Sequence, residues 1–211
     1  MIFASREEAG RKLGQFLMSA GVQADLVLGL PRGGVVVAAE VAKILKRPLD
    51  VLVVRKIGHP IFREFAVGAL AEEEVVLLDE AVLVRSHVDR ADLEEVIVEE
   101  TARLKAYREK FHHGKLGLKN KTALIVDDGL ATGATTEAAV LSARKQGANK
   151  VIVSAPVASD TAVNRLAKVA DEVKVLEVDP RFEAVGQYYR VFAQTTDEEV
   201  LSLLKSQRSS S

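Results

Sequence analysis

The chain has no cysteine among its 211 residues. That absence excludes disulfides, thiolate zinc sites and a cysteine nucleophile together, and it fits a reducing, cytoplasmic setting. Net charge is nearly absent too: Lys and Arg number 29 against 30 for Asp and Glu, a formal charge of -1. Such a balance gives no general attraction to nucleic acid or an acidic membrane, so any anion site has to be local. Long apolar runs are missing, and none approaches the roughly 20 residues needed to cross a bilayer. The opening stretch MIFASREEAGRKLGQFL carries charge where a signal peptide would be apolar and has helical spacing instead, with Ser5 and Glu8 resembling a capping box. No internal repeat is evident. What remains is a chain 48% hydrophobic, ordinary for a globular protein with one core. A single domain over residues 1–206 is expected, with a disordered Ser-rich tail at 207–211.

The most informative stretch is residues 121–136, KTALIVDDGLATGATT. Ala123, Leu124, Ile125 and Val126 form the apolar run of a strand buried on both faces, and helical spacing follows from Glu137. The loop between them sits where the first N–H groups of a helix lack internal partners and the helix dipole adds positive charge, so it suits phosphate. Gly133 lets the backbone approach closely, Thr132, Thr135 and Thr136 offer hydroxyl donors, and Gly129, Ala131 and Ala134 complete the expected substrate-binding loop. Asp127 and Asp128 would repel a phosphate unless they face something else. Neighbouring strand residues point to opposite faces, so one acid can meet a ligand's hydroxyls and the other a metal ion or a backbone donor. A phosphorylated sugar satisfies both.

The rest of the chain alternates. Residues 25–30 read as a strand that breaks at Pro31-Arg32-Gly33-Gly34 before a helix over 35–46. Residues 49–55 read as a strand ending in the basic pair Arg55-Lys56. Residues 65–70 are expected to form one arm of a hairpin continued by 75–78 and 81–85, and residues 89–111 one long surface helix. Strands at 151–157 and 173–178 alternate with helices at 160–170 and 197–204. This pattern predicts an α/β fold, a mainly parallel sheet with helices on both faces, carrying an added hairpin and long helix. Ligands of such sheets bind beyond the carboxyl ends of the strands. Three loops are expected there: 127–136, 30–34 with Arg32, Gly33 and Gly34, and Arg55-Lys56.

IVDDGLATGATT resembles the phosphoribosyl diphosphate signature of type I phosphoribosyltransferases, GLPRGG is similar to that family's pyrophosphate loop, and VVRKIGHP to its basic strand end, in family order. GLPRGGVVVA, RKIGHP and AVGQYY also resemble uncharacterised bacterial and archaeal phosphoribosyltransferase-domain proteins. The resemblance implies transfer of the 5-phosphoribosyl group from phosphoribosyl diphosphate (PRPP) to an acceptor it does not name, a nucleobase being one candidate, with Mg2+ and release of diphosphate. It implies that Thr132, Thr135, Thr136 and their loop grip the 5-phosphate. Asp127 and Asp128 contact the ribose hydroxyls and the metal, directly or through water, while Arg32, Arg55 and Lys56 serve the diphosphate. A homodimer is a further expectation. Residues 58–115 match no short mobile loop of the best-known relatives and stay open as lid, hood or interface; residues 180–206 read as hood and closing helix. The alternative is a non-catalytic regulatory protein that binds PRPP or a nucleotide in the same pocket.

Other signals carry less. A phosphoaspartyl enzyme would want its second acid at Gly129. His59, His87, His112 and His113 read as surface residues rather than a metal site, with His59 near enough to the basic pair to approach diphosphate. Phe182, Tyr188, Tyr189 and Phe192 read as core, with stacking on a planar acceptor as the alternative. Glu99 and Arg103 read as a surface pair. No general base emerges.

Overall fold

The protein is described by a computed structural model over residues 1–112 and 116–208. Five strands form one sheet: β1 (Leu26–Gly29), β2 (Leu49–Val51), β6 (Thr122–Val126), β7 (Lys150–Ala158) and β8 (Glu172–Val178). Their order is β2-β1-β6-β7-β8, and every neighbouring pair is parallel. A parallel pair needs a crossover, and helices supply it. Because strand side chains alternate, Val27, Leu124, Val126 and Ile152 point to one face and Leu26, Leu28, Ala123, Ile125, Val151 and Val153 to the other. Helices α1 (Arg6–Ser19), α2 (Gly33–Leu45) and α7 (Asp197–Arg208) cover the first face; α5 (Ala134–Lys145) and α6 (Asp160–Leu166) cover the second. The expected α/β architecture with a mainly parallel sheet and helices on both faces is the one found.

The middle of the chain departs from its reading in three ways. Residues 49–55 are not one strand: β2 ends at Val51, and β3 (Val54–Gly58) opens a separate antiparallel sheet with β4 (Ala66–Ala71) and β5 (Val75–Leu78). Between them Leu52 N–H still reaches Gly29 O at 3.2 Å, but Val53 N–H donates to Glu72 Oε1 at 2.8 Å. A buried carboxylate thus satisfies a backbone donor that the sheet has released. Second, Arg55-Lys56 lies inside β3 rather than at the end of a parallel strand. Third, residues 81–85 are helical: Asp79 caps α3 (Glu80–Ser86), its Oδ1 accepting from Val82 N at 3.1 Å. The capping geometry outweighs the β-branched composition.

The hairpin sheet lies between α5, which it meets through Ala69, Ala71 and Ala138, and the long helix α4 (Glu94–Phe111), entered through a 3-10 turn at Arg90–Leu93. Ser5 Oγ caps α1 at Glu8 N (3.4 Å), while the Glu8 carboxylate reaches back to Ala4 N rather than Ser5 N. At the other end α7 continues through Gln207 and Arg208, past the expected start of the tail; Gln207 Nε2 donates to Ala39 O at 3.3 Å. Residues 209–211 and 113–115, with His113, lie outside the described residues. His59 and His112 are buried, not surface residues. His59 Nδ1 accepts from the N–H groups of Ile61 (3.1 Å) and Phe62 (3.2 Å) and so shapes the β3–β4 turn.

Candidate active site

The register of β1 and β6 builds the site. Gly29 pairs with Val126, and Leu30 N–H donates to Val126 O at 3.0 Å, so the two chains leave the sheet side by side. Residues 30–34 therefore run against residues 127–136. They line one cleft of about 350 Å3 together with Val54, Lys56 and Val185. Of the residues expected at the site, Arg32, Gly33, Lys56, Asp127, Asp128, Gly129, Ala131, Thr132, Gly133, Thr135 and Thr136 line this cleft. Gly34 lies beneath it, and Ala134 begins α5. Arg55 does not line it.

The 30–34 loop approaches the acids too closely for side chains. A Cβ on Gly33 would lie 2.2 Å from Asp128 Oδ2, and one on Gly34 2.8 Å from Asp127 Oδ1. On the other side a Cβ on Gly129 would meet Val185 Cγ1 at 2.7 Å. Gly133 differs: space is available there, but its φ of 75° is left-handed, the conformation that starts α5 without a side-chain cap. The end of α5 thus opens onto the cleft, with Ala134 N–H only weakly engaged by Thr132 Oγ1 at 3.4 Å. Behind the loop, Ser159 Oγ donates to Ala131 O at 2.5 Å and Leu130 N–H to Val157 O at 3.0 Å, tying it to β7.

The two acids are not equivalent. Burial, then the Asp128 charge, pushes the Asp127 carboxyl well above the usual carboxylate range, and Asp127 Oδ1 accepts from Asp128 N–H at 2.8 Å. Asp128 is ion-paired: Arg6 Nε donates to its Oδ2 at 2.7 Å, and Tyr189 Oη donates to its carbonyl at 2.6 Å. Burial first, and then Asp128, hold the Tyr189 phenol far above its ordinary value, so it remains a donor. Tyr189 and Tyr188 belong to the core with Phe3 and Val157, which favours the core reading of the aromatic cluster. Phe192, 43% exposed, carries the Arg6 guanidinium 4.0 Å from its ring centroid. Arg6 is the residue that sequence reasoning missed; a lone arginine in a charged helical turn carries no signal.

The basic groups also divide. Lys56 and Arg32 line both this cleft and a wider neighbouring one of about 730 Å3 that contains Arg55, Arg63, Glu99, Glu100 and Arg103. Arg32, which follows a cis Pro31–Arg32 peptide, is held only loosely, 3.8 Å from Asp197 Oδ1. Arg55 faces α4, its Nε 2.5 Å from the Glu100 carboxylate, while Arg103 Nη1 reaches the same carboxylate at 2.8 Å. Arg103 also pairs with Glu99, as the helical spacing predicted. Among the described residues no cluster of three or more acidic, histidine or cysteine side chains is placed to hold a metal, and no helix is long and apolar enough to cross a membrane.

Comparison with known proteins agrees with this geometry. Residues 2–192 match the family described as the phosphoribosyl transferase domain. A Mycobacterium tuberculosis protein named "Putative phosphoribosyl transferase" is 47% identical over 205 residues, 96% of this chain and 46% of that protein. The chain spans about half the length of the curated relatives it matches. The crystal structure of TT1426 from Thermus thermophilus shares 42% identity and a TM-score of 0.79, covering 98% of this chain and 99% of that one. A hypothetical protein from Neisseria gonorrhoeae, solved with bound ppGpp, shares the fold alone: TM-score 0.51, 14% identity, 97% and 96% coverage. The chain belongs to the phosphoribosyl transferase domain family.

Proposed function

We propose that this protein transfers the 5-phosphoribosyl group from PRPP to a nitrogen nucleophile and releases diphosphate. The observation that carries the reading is the single cleft in which two glycine-bearing loops close on a pair of carboxylates. The α5 end offers backbone N–H groups and the hydroxyls of Thr132, Thr135 and Thr136 to the 5-phosphate. Arg32 and Lys56 lie across the cleft, where the diphosphate would sit. Asp127 and Asp128 lie between, facing the ribose.

In this reaction the bond from the anomeric carbon to the diphosphate oxygen breaks, the diphosphate leaves with the electron pair, and the acceptor nitrogen bonds to the same carbon. Negative charge gathers on the leaving group, where Arg32 and Lys56 stabilise it most in the transition state. Positive charge develops on the ribose beside the two acids. The donor set suits Mg2+: two carboxylates without a third protein ligand among the described residues fit a hard cation that keeps waters and shares substrate oxygens. Bound there by Asp127 and Asp128, Mg2+ would supply charge neutralisation of the diphosphate.

Diphosphate release from PRPP and Mg2+ across a panel of bases and amines tests the reading. Release with at least one acceptor is expected; a protein that does not bind the donor contradicts it. The Arg55–Glu100 pair favours a second reading, a regulatory protein that binds PRPP or a nucleotide without turnover, because one cation expected to serve the diphosphate is already engaged. Saturable donor binding with no release on any acceptor is the result that reading requires.

A further inference from the structure

Arg6 stands at the junction of three parts of the molecule. Its Nε bonds the Asp128 carboxylate at 2.7 Å, its Nη1 donates to Ala193 O at 2.7 Å, and its guanidinium lies over the Phe192 ring. Both partners of the ion pair are nearly enclosed, with 11% of the Arg6 side chain and 15% of the Asp128 side chain exposed. The planar fork of arginine allows these contacts at once, which a lysine ammonium on a flexible stem would not reproduce. The surrounding backbone is organised for the same purpose. Phe3 N–H donates to Tyr188 O at 2.8 Å, Arg190 N–H to Phe3 O at 2.8 Å and Val191 N–H to Ala4 O at 3.1 Å. The chain leading into α1 is thus bound to residues 188–191, and Arg6 carries that assembly to the acid.

We propose that Arg6 is a positioning residue of the donor cleft: it holds Asp128 in place and couples it to the segment from Tyr189 to Ala193. This rests on the functional reading above and deepens it, because it assigns the two acids different tasks. Asp128 keeps one oxygen on Arg6 and serves the ligand with what remains, whereas Asp127 has no cationic partner within bonding distance among the described residues. Gly33 fits the same arrangement. Its missing side chain is the space that Asp128 Oδ2 and Arg6 Nε occupy, at 2.2 and 2.6 Å from where a Cβ would stand. The 30–34 loop, Asp128 and the 189–193 segment are therefore packed as one unit.

Two readouts on R6Q, D128N and the R6Q/D128N double variant test the proposal. In the absence of ligand, hydrogen exchange at the Arg190 and Val191 amides is expected to quicken in both single variants. Arg6 acting only by packing on Phe192 would leave D128N unchanged, and unchanged exchange in D128N overturns the coupling. In titrations with PRPP and Mg2+, R6Q is expected to weaken binding roughly tenfold to a hundredfold, as a small misplacement of a binding group does. The double variant should bind within about twofold of D128N, since Arg6 acts through Asp128. Additive losses, or wild-type affinity in R6Q, overturn the positioning role. Should R6Q fail to fold because it leaves a buried carboxylate unpaired, R6K, which keeps the charge but not the planar fork, takes its place in both readouts. A wild-type protein that binds no donor contradicts the functional reading, and the exchange measurement then decides the coupling by itself.

Discussion

Gly33 makes the closest approach to the acids in the cleft. A methyl group there would overlap Asp128 Oδ2 and Arg6 Nε, both held by their own ion pair and unable to retreat without breaking it. G33A is therefore expected to lose donor binding by more than tenfold and to cost about 1–3 kcal/mol of stability, as overpacking does. Isothermal titration and urea denaturation measure the two. A G33A protein with wild-type affinity would mean that the loop does not close on the acids in solution. Individual residues of this kind were legible in the sequence where chemistry contradicted surroundings: two carboxylates after an apolar strand, paired glycines after Pro-Arg. Arg6 was not, because it meets Asp128 across 122 positions of chain and only the folded molecule brings them together.

Among the elements, the departure of the chain from β2 into β3 has the clearest physical cause. Glu72, at the turn after β4, is buried and holds Val53 N–H and His112 Nε2 on one oxygen, at 2.8 and 3.0 Å; Arg108 Nε lies 3.4 Å from the other. Ser142 of α5 donates to the Glu72 carbonyl at 2.8 Å. One residue thus links the hairpin sheet, α4, α5 and the strand crossing. Burial opposes charge on His112, but the Glu72 hydrogen bond and charge outweigh it and raise the imidazole above its ordinary value. Because the folded value is the higher one, this link contributes fully below about pH 6.5 and is lost as pH rises through the folded value. The stability gap between wild type and H112N is expected to narrow from pH 6 to pH 9 in denaturant titrations. A constant gap would show that His112 stays neutral and only packs. None of this was legible in the sequence, since VLVVRK has the composition of one continuous strand and the carboxylate that interrupts it lies some twenty residues on.

At the scale of the whole molecule, alternating apolar periods made the parallel sheet and its covering helices readable, because the central strands β1, β6 and β7 are buried on both faces and the helices on one. The β1–β6 register then sets the two glycine loops against each other, which is why motifs distant in sequence line one cleft. Where the reading failed, the second sheet was responsible: it turned Arg55 toward Glu100 on α4 and left Lys56 and Arg32 as the cations lining the cleft. Val185, within the AVGQYY segment, packs over Gly129 and bounds the cleft on that side. The central claim is that this cleft holds PRPP, and calorimetric titration of the protein with PRPP and Mg2+ tests it most directly. Saturable binding of one donor per chain is expected, lost when Asp127 and Asp128 are both changed to Asn. No binding, or binding that survives the double change, would contradict it.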